Sequence, residues 1–215
     1  MSSKIHRLVE FLAEPDNDPN GARDQFKGTD RAYCAALLEL LGCQEKRAKN
    51  RAAKLIANLA KEKPKVVYAR MDDLIALLAS KENIVLWNAL ISIGHVAGED
   101  EAGEIAKVLP KMLKLLSSET MVTAANAIDS LVNVATARPE LVGKILGPLT
   151  RIGEIERNED CRVVLTAKVA KQLALLVGKV DARQKMQMVK FAEEQVAGVT
   201  ERIAKPAAKL LKKLT

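Results

Sequence analysis

A short tripeptide pattern recurs along the chain at a nearly constant spacing. It reads Asn58-Leu59-Ala60, then His95-Val96-Ala97, then Asn133-Val134-Ala135, and successive copies begin 37 and 38 residues apart. Similarity at a fixed period of this length indicates a stack of helical repeats, because each repeat buries its apolar face against the next one. The recurrence therefore restricts the chain to one class of architecture.

Apolar residues around the tripeptides follow the period of a helix. The aligned positions are Ala52, Ile56 and Leu59, then Ala89, Ile93 and Val96, then Ala127, Leu131 and Val134, with a fourth copy at Val169, Leu173 and Leu176. Spacings of four and three residues lie on one helical face. The small residue at the first position lets a neighbouring helix approach closely. We expect these residues to form the core.

A second apolar helix precedes each of these helices. Its positions are Val67, Met71, Leu74 and Leu77, then Ile105, Leu109, Met112 and Leu115, then Val142, Leu146, Leu149 and Ile152. Pro64 and Pro139 stand near the starts of their helices, where proline is tolerated, whereas Pro110 and Pro148 fall inside. Short polar turns are predicted at residues 80–83 and 117–120. The repeating unit is helix, tight turn, helix, loop.

The segments 108–118 and 127–135 together resemble the HEAT/armadillo superfamily. In that superfamily a "PxLxxLL-S" helix precedes an "AxxxLxNIA" helix. The resemblance covers about residues 30–198. It implies an all-α, right-handed superhelix, a solenoid of about four to five HEAT/armadillo-like helix pairs.

The two ends of the chain do not match the repeats. For residues 1–29 we expect an N-terminal helix at 3–13, followed by a connector whose Gly, Pro and Asp residues predict a surface loop over 16–30. For residues 199–215 we expect a capping helix that begins at Thr200, because terminal repeats need a polar outer face.

The resemblance also implies where a ligand binds. In this superfamily the second helix of each repeat lines the concave face, and the asparagine of the triplet hydrogen-bonds the backbone of an extended peptide. Those positions are Asn58, His95 and Asn133 here, and the fourth is Leu175. An amide offers a donor and an acceptor together, which suits a main-chain amide.

Armadillo peptide binders carry a tryptophan four residues before that asparagine, and this chain departs from the pattern. Its residues there are Lys54, Ile91, Asp129 and Lys171. The departure argues against binding of basic import signals. A second exposed row is predicted one position before the small core residue, at Arg51, Asn88, Asn126 and Lys168. Trp87 has two interpretations, an exposed aromatic anchor or a residue packed on an adjacent repeat.

Charge is distributed unevenly along the chain, whose formal net charge is +7. Residues 44–65 carry eight bases and two acids, and residues 161–215 carry twelve bases and four acids. Residues 81–160 instead hold twelve acids and eight bases. Nucleic-acid binding is therefore an alternative that requires the two basic regions to share one face.

Motifs for catalysis are missing from the sequence, which has no phosphate-binding loop, dinucleotide fingerprint or HExxH. The three cysteines form no CxxC pair and predict buried thiols in a reducing cytoplasm. We find no signal peptide and no apolar run of about 18 residues, so we expect a cytoplasmic protein without membrane insertion. We predict no catalytic residue, no metal site and no cofactor.

These observations favour a non-enzymatic scaffold or adaptor that binds a protein or an extended peptide on its concave face. One alternative is nucleic-acid binding through basic concave residues. A narrower alternative is a HEAT-like alkylpurine DNA glycosylase, which the chain resembles in size, helicity and pI of about 9.3, with Asp129 as the candidate acid. Aromatic residues make up only 3% of the chain, too few for stacking on a damaged base.

Overall fold

The computed structural model describes residues 3–198 and 200–215. Within these two ranges the chain forms helices, turns and loops but no strand, which confirms the all-α prediction. Met1, Ser2 and Val199 fall in the terminal segments predicted at 1–29 and 199–215 and lie outside the described residues.

The chain folds as two compact units, Met1–Glu104 and Ile105–Thr215. The helices that begin in the first unit are α1 Ser3–Ala13, α2 Ala22–Phe26, α3 Asp30–Leu40, α4 Lys46–Glu62, α5 Pro64–Tyr68, α6 Met71–Leu77, α7 Asn83–Val96 and, at its last residue, α8 Glu104–Lys114. The helices of the second unit are α9 Met121–Ala137, α10 Val142–Thr150, α11 Glu159–Leu173, α12 Ala182–Val196 and α13 Glu201–Leu214. The three-segment division at residues 29 and 198 stays a prediction.

Helix α4 is the centre of the first unit and packs against α1, α3, α5 and α7. Its predicted core residues Ala52, Ile56 and Leu59 are buried, as are Ala89 and Ile93 of α7. Alanine at the first of these core positions in each helix leaves room for the facing backbone, which lets α4 and α7 pack against each other.

The second unit is built around α9 and α11, which contact each other. The predicted core residues Ala127, Leu131 and Val134 of α9 are fully buried, and so are Val169 and Leu173 of α11. Helix α10 packs on α9, and the C-terminal helix α13 packs on α11 and α12. Thr200 precedes α13, as predicted.

The connector and the fourth repeat helix differ from the prediction. The connector at 16–30 contains α2, whose Ala22 and Phe26 are buried, so the prediction of a surface loop was wrong there. A helix of five residues is too short to show the period of apolar residues that predicts a helix, and the turn residues on either side of it favoured a loop. The fourth repeat helix, α11, ends at Leu173, so Leu175 lies beyond it and is 53% exposed.

The first helices of the repeats end slightly differently from the predicted pattern. Leu77 and Leu115 are only half-buried, and the residues that fill the core are their neighbours Leu78 and Leu116. Residues three and four positions after a core residue lie on the same helical face, so sequence spacing alone does not show which of the two is buried.

Candidate functional site

The predicted site residues lie on the solvent-facing side of helices whose opposite face forms the core. They are Arg51, Lys54 and Asn58 on α4, Trp87, Asn88, Ile91 and His95 on α7, Asn126, Asp129 and Asn133 on α9, and Lys168 and Lys171 on α11. Lys54 and Lys171 are exposed, and the other ten are half-buried. Each is therefore at least partly open to solvent.

A surface cleft of about 670 Å³ lies between α4 and α7 of the first unit. Its lining comes from the start of α4 and of α7: Glu45, Lys46, Arg47, Asn50, Arg51, Lys54, Ile84 and Asn88. The residues from α4 recur at intervals of three and four, which places them along one face. Four of the eight lining side chains are basic and one is acidic, so the cleft is electropositive.

Two guanidinium groups of this cleft are anchored to the C-terminal end of α1. Arg51 donates to the backbone oxygens of Leu12 at 3.1 Å, Glu14 at 2.6 Å and Pro15 at 2.9 Å. Arg47 donates to the oxygen of Ala13 at 3.1 Å. The last carbonyls of a helix have no partner within the helix, and a cation is favoured at that end. Arg51 and Arg47 therefore hold α1 in place and are themselves fixed.

The two lysines of the cleft differ from its arginines because they have no hydrogen-bond partner among the described residues. Lys46 and Lys54 are exposed, and neither forms an ion pair or a side-chain hydrogen bond with the described residues. Glu45, the one acid in the lining, accepts from the backbone N–H of Ala48 at 2.5 Å and so caps α4. The ammonium groups of both lysines are available to a ligand.

The predicted asparagines fall into two classes. The amide nitrogens of Asn88 and Asn126 each donate to the backbone oxygen four residues earlier in their own helix, at 2.8 and 2.9 Å. Asn58 and Asn133 of the recurring triplets instead make no side-chain hydrogen bond to the described part of the chain. Of the four predicted asparagines, only Asn58 and Asn133 therefore keep the whole side-chain amide without a partner among the described residues.

The structure does not place Asn58 in the basic cleft. It lines a separate depression of about 380 Å³, together with Tyr33 of α3 and Arg23 of α2. Trp87, Ile91 and His95 lie outside the cleft lining as well. Of the residues predicted in the first unit, the cleft brings together Arg51, Lys54 and Asn88.

In the second unit, Asp129 is held by two side chains of α11. Its carboxylate forms an ion pair with Lys168 at 2.6 Å and accepts a hydrogen bond from Gln172 at 2.6 Å. Lys168 and Gln172 are one helical turn apart, so both reach the same acid. The pair of bonds joins α9 to α11 and occupies the carboxylate.

His95 occupies the triplet position of α7 and is half-buried. Burial lowers the pKa of this imidazole below its usual value, and the nearby positive charge of Lys61 lowers the pKa further. Both effects disfavour the imidazolium ion. His95 is therefore held in its neutral form, with one nitrogen able to donate and the other to accept.

Several solved structures share this fold. A designed armadillo repeat protein, YIII(Dq)4CqI, superposes with a TM-score of 0.64 at 18% identity over 98% of this chain and 92% of its own. The fold is an armadillo-like helical repeat. A designed armadillo repeat protein in complex with the peptide (KR)4 has a TM-score of 0.61 at 18% identity, with both chains fully covered. The armadillo-repeats-only protein of Plasmodium falciparum has 0.57 at 14%, over 100% of this chain and 99% of its own.

No family model and no curated protein sequence matches the chain. Because the identities to the structural neighbours are low, the likeness is one of fold alone.

Sequence reasoning did not single out four of the eight cleft residues, namely Glu45, Lys46, Asn50 and Ile84. The signal was present for α4, because positions 47, 50, 51 and 54 follow the spacing of one helical face. No such signal marked Ile84, which is 37% exposed at the start of α7. It joins the site only because α7 packs against α4.

Within the described residues of this armadillo-like repeat, no group of three or more His, Cys, Asp or Glu side chains is arranged to hold a metal ion. Over the same residues, no helix combines the length and the apolar character required to cross a membrane.

Proposed function

We propose that this protein is a non-enzymatic scaffold that binds an extended segment of another protein along the partly exposed faces of its repeat helices. The observation that carries the proposal is the state of Asn58 and Asn133. Each stands at the same position of its repeat, and each keeps an unpaired amide that matches the donor and acceptor of a peptide group.

The armadillo-like fold supports the same proposal. One structural neighbour is a designed protein whose structure contains a bound peptide. A rigid helical repeat presents its polar side chains in a fixed arrangement, which reduces the entropy lost when a flexible segment binds.

A catalytic function has less support. In the glycosylase hypothesis Asp129 is the reacting acid, but its carboxylate is occupied by Lys168 and Gln172. Cys34 is buried, and burial raises the pKa of its thiol to about 11, so its nucleophilic thiolate is scarce near neutral pH. The described side chains therefore favour binding over chemistry.

Selection from a random displayed peptide library tests the proposal even though the natural partner is unidentified. We expect enriched peptides whose affinity falls about 3- to 10-fold in Asn58→Ala or Asn133→Ala, because each variant removes hydrogen bonds worth about 0.5–1.5 kcal/mol. Gln25→Ala is the matched control, since Gln25 is an exposed amide on α2 that lines neither the cleft nor the depression at Asn58. Enrichment of no peptide, or equal affinity in all three variants, contradicts the proposal.

A further inference from the structure

We infer that the cleft between α4 and α7 binds an acidic peptide segment. This inference rests on the proposed function and adds the chemical class of the ligand. The cleft offers the ammonium groups of Lys46 and Lys54, neither of which is neutralised by a described side chain. Its one acid, Glu45, is engaged with the backbone at the start of α4.

The guanidinium groups of Arg47 and Arg51 add fixed positive charge to the same cleft. A guanidinium carries five N–H donors, so the bonds to the end of α1 leave donors unused on both residues. Because these bonds hold the two side chains in place, a carboxylate binds them with little further loss of side-chain entropy.

The spacing of the lysines defines the ligand more narrowly. Lys46 and Lys54 are eight residues apart on α4, which corresponds to about 12 Å along the helix. An extended peptide advances about 3.3 Å per residue, so two acidic residues about four positions apart reach both ammonium groups. Ile84 lines the cleft from α7 and is 37% exposed, which suits an apolar residue between the two acids.

The lining distinguishes a peptide from a nucleic acid. Proteins that bind single-stranded nucleic acids combine a basic groove with aromatic side chains on which the bases stack. No aromatic residue is among the described residues that line this cleft, while Asn50 provides a side-chain amide that suits a peptide backbone. The ligand charge is also opposite to that of (KR)4, the basic peptide bound by one structural neighbour.

Fluorescence anisotropy with three labelled probes tests the inference at physiological ionic strength: the acidic peptide (Asp-Glu)4, the basic peptide (KR)4 and the oligonucleotide (dT)8. We expect (Asp-Glu)4 to bind and (KR)4 not to bind. The double variant Lys46→Glu/Lys54→Glu should weaken (Asp-Glu)4 by about tenfold or more, because it reverses two charges in the cleft. Circular dichroism verifies that each variant remains folded.

The matched control is Lys65→Glu/Lys81→Glu, which changes the net charge equally at two exposed lysines outside the cleft. It should leave the affinity within about twofold. Equal loss in both double variants, no binding of (Asp-Glu)4, or tighter binding of (dT)8 that the cleft variant abolishes would overturn the inference. If the affinity for library peptides falls when Asn58 or Asn133 is changed but not in Lys46→Glu/Lys54→Glu, the proposed function stands and this inference alone fails.

Discussion

The guanidinium of Arg51 joins α4 to the end of α1 by three hydrogen bonds, to Leu12, Glu14 and Pro15. The residue was predicted as part of a binding face, and the structure gives it a role in holding α1 as well. Its three acceptors lie 36 to 39 residues earlier in the sequence. The spacing of residues along α4 showed that Arg51 lies outside the core, but it contained no information about these hydrogen-bond partners.

We therefore expect Arg51→Met to destabilise the protein. The variant keeps an unbranched apolar stem and removes every donor, so the free energy of unfolding should fall by about 1–3 kcal/mol. Urea denaturation measures the change. Arg202→Met, at an exposed arginine of α13, should change the free energy of unfolding by less than about 0.5 kcal/mol. Equal effects in the two variants would show that the contacts with α1 contribute nothing.

His95 makes stability depend on pH in a predictable direction. Burial and the charge of Lys61 lower the pKa of His95 in the folded state, so the unfolded chain binds the proton more readily. Stability from this residue is therefore present above the unfolded pKa, about 6.5, and is lost as the pH falls below it.

The variant His95→Asn, which introduces the residue found in the other triplets, should lose less stability than the wild type between about pH 7.5 and about pH 5. Thermal denaturation at a series of pH values measures the difference. His6→Asn is the control, because His6 is exposed and pairs with Glu10 on the same helix. An unchanged pH dependence in His95→Asn would contradict the assignment.

At the scale of helices, the packing of α4 on α7 depends on small residues. Ala89 is 2% exposed and occupies the first core position of α7. Ala89→Leu enlarges the side chain where no space remains, and overpacking of this kind costs about 1–3 kcal/mol. Ala76→Leu, an exposed position of α6, should leave stability nearly unchanged. Chemical denaturation that gives the same stability for both variants would contradict close packing at Ala89.

The period of apolar residues was sufficient to predict the helices of the repeats. All twelve core positions aligned around the triplets are buried. The prediction failed at α2, which is too short to display a period, and at the end of α11, where the pattern continued to Leu176 but the helix stops at Leu173. A buried residue can lie in a turn as well as in a helix, so apolar spacing does not define where a helix ends.

Candidate site residues were less predictable than the core. The sequence identified residues that lie outside the core, and the structure shows which of them form side-chain hydrogen bonds or ion pairs. Asp129 is engaged by Lys168 and by Gln172, which lies 43 residues later, whereas Asn133 on the same helix makes no such bond with the described residues. Side chains one repeat apart meet only after the helices have packed, and this information is absent from a single repeat.

At the scale of the whole molecule, the chain carries a formal charge of +7 and folds as two compact units. The first contains the basic cleft and Asn58, and the second contains Asn133. We propose that each unit binds a segment through its own amide, Asn58 in the first unit and Asn133 in the second. We therefore expect the side chains of Asn58 and Asn133 to contact the ligand directly.

Nitrogen-edited NMR of the side-chain NH2 groups during titration with a library-selected peptide tests these contacts directly. We predict that the NH2 signals of Asn58 and Asn133 shift on binding, while the signal of Gln25 remains in place. Binding of the selected peptide with no shift at Asn58 or Asn133 would contradict direct contact between these amides and the ligand.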